Sequence, residues 1–376
     1  VYDVIVVGVG GFGSSCLYHL ARRGLRVLGL DRFPPAHNHG SSHGETRIIR
    51  QAYFEHPDYV PLLLRSYQLW RELESESELE LMRLCGLLLS GPPDGVVVPG
   101  CCEAARRYGV PVEQPDRQEL AQRFPGFRFP DQFEAVFEPL GGYLHVETCV
   151  RTHLEQARRW GADIETGHAI QHWQADATGV RVQTDQSEFK AASLVLTPGA
   201  WAGDLLATIP GLPELEVRRK VLLWHPVRSP VFDVAEGGCG FLFEMPQGTF
   251  YGFPSTDGRT VKVAEHSGGL AVADPLKLDR QLHDSDVDPV AAFLQEVMPD
   301  VDVRPERHAV CLYTMTPDQD FLIDRHPDHS QVVFGAGFSG HGFKFTSAIG
   351  ELLAEMIITG QTPDAARFLS LDRFRS

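Results

Sequence analysis

The sequence predicts a mixed α/β (α+β) fold: one Rossmann-like domain on a parallel sheet, and a second domain on an antiparallel sheet. Three observations predict it. The first thirty residues read strand, glycine turn, helix, strand. The tail returns to a strand–turn–helix pattern around residues 332–358. Between them lie short strands and turns, the signature of an antiparallel sheet rather than of further βα units.

The elements follow in order. Val4 to Val7 form a continuous apolar run, as expected for a strand covered on both faces. Gly8-Val9-Gly10-Gly11-Phe12-Gly13 makes the turn, and Ser14 to Arg23 carry apolar residues at helical spacing until Gly24. Val27 to Leu30 is the second strand, closed by Asp31. Residues 34–50, rich in Pro, His, Gly and Ser, read as a loop entering a helix near Thr46. An amphipathic helix is expected over 58–80, short strands and turns over 81–140, and a helix over 147–160. Residues 163–202 read as three short strands, and 213–315 as strands and turns with one helical piece near 288–298. Val332-Val333-Phe334 is a strand, 335–344 a glycine-rich turn and 346–358 a helix. The division expected is a discontinuous nucleotide-binding domain (1–80, 141–212 and 318–376) and a substrate domain (81–140 and 213–317).

Bulk properties bound the function. Hydrophobic residues are 43% and charged residues 22%, ordinary for a globular chain with a sizeable core. Thirty-four basic against 50 acidic side chains give a net charge of −16, which repels nucleic acid. Seven cysteines, with no CxxC pair, exclude a disulfide framework or zinc ribbon, and no metal site is expected. The given sequence opens directly on a strand, which reads as a chain without a leader, and no uncharged apolar run reaches the length of a membrane span. The expectation is a soluble cytoplasmic protein.

Gly8, Gly10 and Gly13 fit G-x-G-x-x-G, with Gly11 and Phe12 between them. The first glycine permits the tight turn, the second lets backbone approach a pyrophosphate, and the third lets helix and strand pack closely. The motif follows an apolar strand and opens a helix. Asp31 then lies where a ribose-binding carboxylate is expected, which argues against a 2′-phosphate, although Arg32 beside it weakens that point. The motif alone leaves FAD and NAD both open.

Three longer segments go further. They are His39-Gly40-Ser41-Ser42-His43-Gly44-Glu45-Thr46-Arg47-Ile48-Ile49-Arg50, Cys311-Leu312-Tyr313-Thr314-Met315-Thr316-Pro317-Asp318, and Gly335 to Phe345 (GAGFSGHGFKF). In this order they resemble the monomeric sarcosine oxidase and N-methyltryptophan oxidase family, within the D-amino acid oxidase-like FAD enzymes. The likeness runs from Val4 to about Phe374.

The resemblance implies FAD, attached covalently through Cys311; by composition alone that cysteine would be a buried hydrophobe. It implies that Arg50 and Lys344 bind the substrate carboxylate by charge-assisted hydrogen bonds. Lys262 is implied to promote reaction with oxygen through its fixed charge. His266 and His341 match active-site histidines, although either could be an ordinary satisfied one. Thr46 and Arg47 are implied to lie against the flavin, and Tyr251, Tyr313 and Leu242 to line the substrate cavity. Ser41, Ser42 and His43 match phosphate or ribityl contacts. Ile170, Gly199 and Trp201 fall on the adenine side, and Gly337, Phe338, Gly340, His341, Gly342 and Lys344 in the C-terminal cofactor turn.

The implied activity is oxidation of a secondary-amine (N-methyl) amino acid by a monomer, giving an imine that hydrolyses to formaldehyde and amino acid, with oxygen reduced to hydrogen peroxide. A cyclic imino acid such as pipecolate or proline remains open as substrate. So does a flavin dehydrogenase that does not use oxygen, while an NAD-dependent dehydrogenase would leave Cys311 and Lys262 unexplained.

Overall fold

The computed structural model describes residues 1–375. An eight-stranded sheet carries the first glycine turn. Its order is Leu322–Arg325, Val332–Ala336, Glu188–Leu196, Tyr2–Val7, Val27–Asp31, Asp163–Thr166, with Gly179–Thr184 and Ile170–Asp176 joining through Glu188–Leu196. Tyr2–Val7 pairs in parallel with both of its neighbours. Its alternation explains its composition. Val4 and Val6 pack toward helices Gly11–Arg22, Val146–Arg159 and Thr346–Thr359, while Ile5 and Val7 pack against the Val180 and Val182 hairpin on the opposite face. With both faces covered, no polar residue fits in the run. Each such side chain contributes about 1.5–3 kcal/mol on burial.

A second sheet is largely antiparallel: Leu270–Ala271, Glu216–Pro226, Thr260–Glu265, Gly248–Phe253, Gly240–Met245, Leu87–Gly91, Glu134–Glu138, with Arg307–Met315 also pairing with Glu216–Pro226. One face is covered by helix Asp284–Val297 through Phe241, Phe243, Phe250 and Phe293. The other presents Leu242, Tyr251, Phe253 and Cys311 toward the core that includes the first helix. A small third sheet, Thr46–Ile49 with Gly142–His145 and Met82–Arg83, lies between the two in sequence and carries Arg47.

Several expectations are corrected. Thr46 opens a strand, not a helix. Thr46–Ile49 is β-branched at three of its four positions and finds a partner in Gly142–His145, which overrides the helical reading. Residues 81–140 contain two helices, Val97–Tyr108 and Arg117–Arg123, besides strands. The first opens on a valine run with Pro99 and Gly100 and so reads as strand and turn. Its N-terminus is stabilised from outside, where the Glu244 carboxylate accepts the N–H groups of Val96 and Val97. Residues 163–202 hold four strands rather than three. The helix expected near 288 begins at Asp284 and carries Pro289 within it. No helix among the described residues is long and apolar enough to cross a membrane.

Candidate active site

One continuous cavity runs from the carboxyl end of the first strand to the inner face of the antiparallel sheet. At one end it is lined by Gly8, Gly10, Gly11, Phe12, Asp31, Arg32, Ser41, Ser42, Ile170, Gly199 and Trp201. Further along come Gly337, Phe338, Gly340 and Gly342. Arg47, Arg50, Leu242, Tyr251, His266, Tyr313, His341 and Lys344 line the far end. Gly13 lies outside the lining for a structural reason: a Cβ there would stand 1.8 Å from the Gly8 carbonyl oxygen, so helix and strand touch only because it is glycine. Thr46, His43, Lys262 and Cys311 are buried beside the cavity rather than in its lining.

The first end fits a dinucleotide. Helix Gly11–Arg22 has no cap from its own N-cap residue and no acidic residue in its first turn; Ser42 Oγ accepts the Gly11 N–H at 3.2 Å, and the rest of the N-terminus is left for an anion. A Cβ on Gly10 would meet nothing nearer than Ser42 Oγ at 3.9 Å, and one on Gly199 nothing within 4 Å, so backbone faces open space at both. Trp201 Nε1 is buried without a partner. Asp31 differs from a free ribose ligand, because its carboxylate already accepts the N–H groups of Val9 (2.8 Å) and Phe33 (3.0 Å) and so also shapes the glycine turn.

Period-two alternation builds the far end. On Gly240–Met245, Gly248–Phe253, Thr260–Glu265 and Arg307–Met315 it turns Leu242, Tyr251, Lys262 and Cys311 away from the phenylalanine core and toward the cavity side. Tyr313, two residues beyond Cys311, lies over Gly340. A Cβ on that glycine would come within 2.2 Å of the ring, and its φ of +81° also favours glycine.

Arg47 ties the strand Thr46–Ile49 to the sheet, donating to Ser41 O (2.8 Å) and to Cys311 Sγ (3.2 Å). Burial pushes the Cys311 thiol up, but Arg47 and then His43 beside it outweigh burial and bring it down to about 7. The thiolate is therefore accessible near neutrality, unlike Cys16 and Cys101, which burial pushes above the ordinary range. Lys262 donates to Gly44 O (2.8 Å) and Thr46 O (2.7 Å), and its ammonium lies 4.0 Å from the Phe253 ring centroid. Burial, then Arg47, hold it well below the ordinary lysine range.

The two expected carboxylate binders are both buried. Lys344 donates to His341 O (2.7 Å), and burial followed by Arg50 pushes it down to about 7. The Arg50 guanidinium stands 4.2 Å from the centroids of both Tyr53 and Phe54. It donates to Ala52 O (2.8 Å) and forms an ion pair with Glu55. Burial would push the Glu55 carboxyl up, but Arg50, with His341 and Lys344 behind it, holds it down to about 2. The anion against Arg50 is thus the protein's own. Glu55 was missed in the sequence, and its only signal was its place five residues after Arg50.

The two histidines differ. His341 has both ring nitrogens engaged, Nδ1 with Tyr53 Oη (2.5 Å) and Nε2 with Gln319 O (3.0 Å), and burial pushes it down to about 4. A neutral ring donating from Nε2 satisfies both contacts. His266 has a single long contact, Nδ1 to Tyr313 Oη at 3.4 Å, and burial pushes it down to about 3.

Residues 3–356 match the DAO family model, described as FAD dependent oxidoreductase. The chain is 41% identical to a monomeric sarcosine oxidase of Streptomyces avermitilis, over 96% of this chain and 94% of that protein. It is 36% identical to an N-methyl-L-tryptophan oxidase of Yersinia pestis over the full length of both. Among solved structures, NikD, an amino acid oxidase of nikkomycin biosynthesis, superposes with a TM-score of 0.86 at 26% identity, covering 98% of this chain and 97% of that one. The chain therefore belongs to the FAD-dependent oxidoreductase family, as an FAD-dependent amino acid oxidase of the sarcosine oxidase and N-methyltryptophan oxidase type.

Proposed function

We propose that the chain oxidises the C–N bond of a secondary-amine, N-methylated amino acid such as sarcosine or N-methyl-tryptophan, yielding formaldehyde, the demethylated amino acid and hydrogen peroxide. The observation that carries this reading is the far end of the cavity. Two buried cations, Arg50 and Lys344, share one cavity with Tyr251, Tyr313 and His266, in continuity with the glycine-rich turn. The relatives named for N-methylated substrates support the same class.

FAD, when bound, would supply a two-electron acceptor that oxygen can reoxidise. Gly8 to Gly13, Asp31, Arg32, Ser41, Ser42 and the Gly337–Gly342 turn would hold it, and Cys311, with its lowered thiol, is the residue proposed to bond to it covalently. Arg50 and Lys344 orient the substrate carboxylate, Arg50 exchanging Glu55 for it. Aromatic faces of Tyr251 and Tyr313 favour a nitrogen that gains positive charge. His266, neutral at ordinary pH, offers a hydrogen bond without placing a competing charge beside the amine. His341 orients Tyr53, which packs on Arg50. Lys262 donates to Gly44 O and Thr46 O although burial and Arg47 hold it well below the ordinary lysine range, and as an ammonium it would supply the positive charge for oxygen reduction.

In the same reading, residues 1–80, 141–212 and 318–376 form the FAD-binding domain, and 81–140 with 213–317 the substrate domain. The protein acts as a cytoplasmic monomer. A peroxide-release assay across sarcosine, N-methyl-tryptophan, other N-methyl amino acids, pipecolate and proline tests the substrate class. Turnover of an N-methyl amino acid with release of formaldehyde is expected. Turnover confined to the cyclic compounds, or none in air, overturns it.

A further inference from the structure

Glu138 ends the strand Glu134–Glu138 of the antiparallel sheet and is fully buried. A carboxylate taken out of water is costly unless its oxygens are satisfied. Here the partners are two consecutive backbone donors. The Gln51 N–H approaches one oxygen at 2.5 Å and the Ala52 N–H the other at 3.0 Å. These are the two residues that follow Arg50. The Ala52 carbonyl in turn accepts from Arg50 Nη1 at 2.8 Å. The Ala52 residue is thus fixed at its nitrogen by Glu138 and at its oxygen by the guanidinium. Tyr67, buried nearby, donates to Leu140 O on the turn just beyond Glu138, which steadies that turn.

Beside Arg50 the two acidic groups differ in kind. Glu55 contacts the guanidinium itself and must let go if a substrate carboxylate is to take its place. Glu138 contacts only backbone and has no reason to move. It leaves Arg50 anchored while its other anion is exchanged. A similar arrangement holds the other end of the strand, where the Glu147 carboxylate accepts the N–H groups of Gly44 and Glu45 ahead of Arg47.

We infer that Glu138 is a positioning residue for substrate capture: by clamping the Gln51–Ala52 backbone it holds the Arg50 guanidinium where the substrate carboxylate is bound. This rests on the reading that Arg50 binds that carboxylate.

The test uses the holoenzyme and its best substrate, with Glu138→Gln, Arg50→Ala and the double variant. The amide presents a donor to one of the two N–H groups, so one clamp is lost with little change of volume. For Glu138→Gln the expected result is a KM raised about tenfold with kcat within about threefold, and bound flavin per chain as in the parent, since a lost charged hydrogen bond weakens binding by about that factor. Added to Arg50→Ala, it should raise KM no further. Glu138→Asp, which keeps the charge but reaches one N–H, should lie between and gives the same reading if the glutamine variant does not fold. An unchanged KM in the Glu138 variants beside a raised KM in Arg50→Ala overturns the inference. So does a KM increase that multiplies fully with that of Arg50→Ala. An unchanged KM in Arg50→Ala instead overturns the reading of Arg50 itself.

Discussion

The two ends of the cavity are built by different means. The nucleotide end is made of backbone: a glycine turn, a helix N-terminus and open approaches at Gly10 and Gly199. The catalytic end is made of side chains from distant parts of the sequence, with Arg47 from the small sheet and Arg50 just beyond the end of its strand, Lys262 and Cys311 from another sheet, and Lys344 from the C-terminal turn. Nearly every charge there is held against a carbonyl, a carboxylate or an aromatic ring. Backbone recognition tolerates changes of side chain but no added atom at its closest contact. Recognition by charges depends on how each charge is held. Substitutions at the two ends should therefore fail in different ways.

The largest effects belong to the nucleotide end. Gly13→Ala places a Cβ 1.8 Å from the Gly8 carbonyl oxygen and so forces helix from strand. A loss of more than about 4 kcal/mol, seen as insoluble or unfolded protein, is expected. Gly10→Ala points its Cβ into open space, 3.9 Å from Ser42 Oγ. It should fold with an unchanged far-ultraviolet spectrum yet purify with little flavin, because the added methyl stands where a pyrophosphate would approach. Equal flavin content in Gly10→Ala and parent would remove Gly10 from the cofactor site.

Next comes Lys262→Met, which keeps the length of the side chain and removes its charge. Anaerobic reduction by substrate should change little, while the reaction of the reduced enzyme with oxygen slows by about a hundredfold or more, the scale set by losing one preorganised electrostatic contact. Stopped-flow measurement of the two half-reactions separates them. Equal loss in both would mean that Lys262 acts only by holding Gly44 and Thr46.

The same contrast governs how much the sequence revealed. The glycine turn of the nucleotide end was legible from residues alone, because strand, turn, helix and Asp31 are contiguous and each glycine has a local reason, whereas Ser41, Ser42, Gly199 and Trp201 came only through resemblance. The catalytic end was legible only through resemblance: a lysine between valines in Thr260–Glu265 says nothing by itself about what it faces. Local pattern failed where tertiary partners decide. Thr46–Ile49 is too short to show a period and becomes a strand by pairing. Val97–Tyr108 is helical against its opening residues because Glu244, remote in sequence, satisfies its N-terminus. The Arg50–Glu55 pair went unseen for a similar reason, since spacing alone does not tell which of several carboxylates a buried guanidinium selects.

The smallest predicted effect is a pH dependence at the catalytic end. Lys344 is pushed down to about 7 by burial and then by Arg50, with Glu55 opposing. It faces His341, whose carbonyl it contacts, and the Tyr53 ring. Below pH 7 it is an ammonium and adds to Arg50 in attracting a carboxylate, and above pH 7 it is neutral and Arg50 works alone. A competitive carboxylate that carries no amine should therefore bind more weakly as pH rises through 7. The loss should reach about tenfold, the free energy of one pKa unit, because Arg50 keeps its charge throughout. An amine-free inhibitor is needed because a secondary-amine substrate must itself lose a proton, which drives its apparent affinity the other way. Glu138, which burial pushes up to about 7, titrates over the same range and becomes an anion near Arg50 as pH rises. Lys344→Met separates the two. If the ammonium carries the dependence, this variant binds the inhibitor weakly and equally on both sides of pH 7. If the slope survives in it, the titrating group is another one, Glu138 or an unattached Cys311 thiol, and the two cations do not share the carboxylate as proposed.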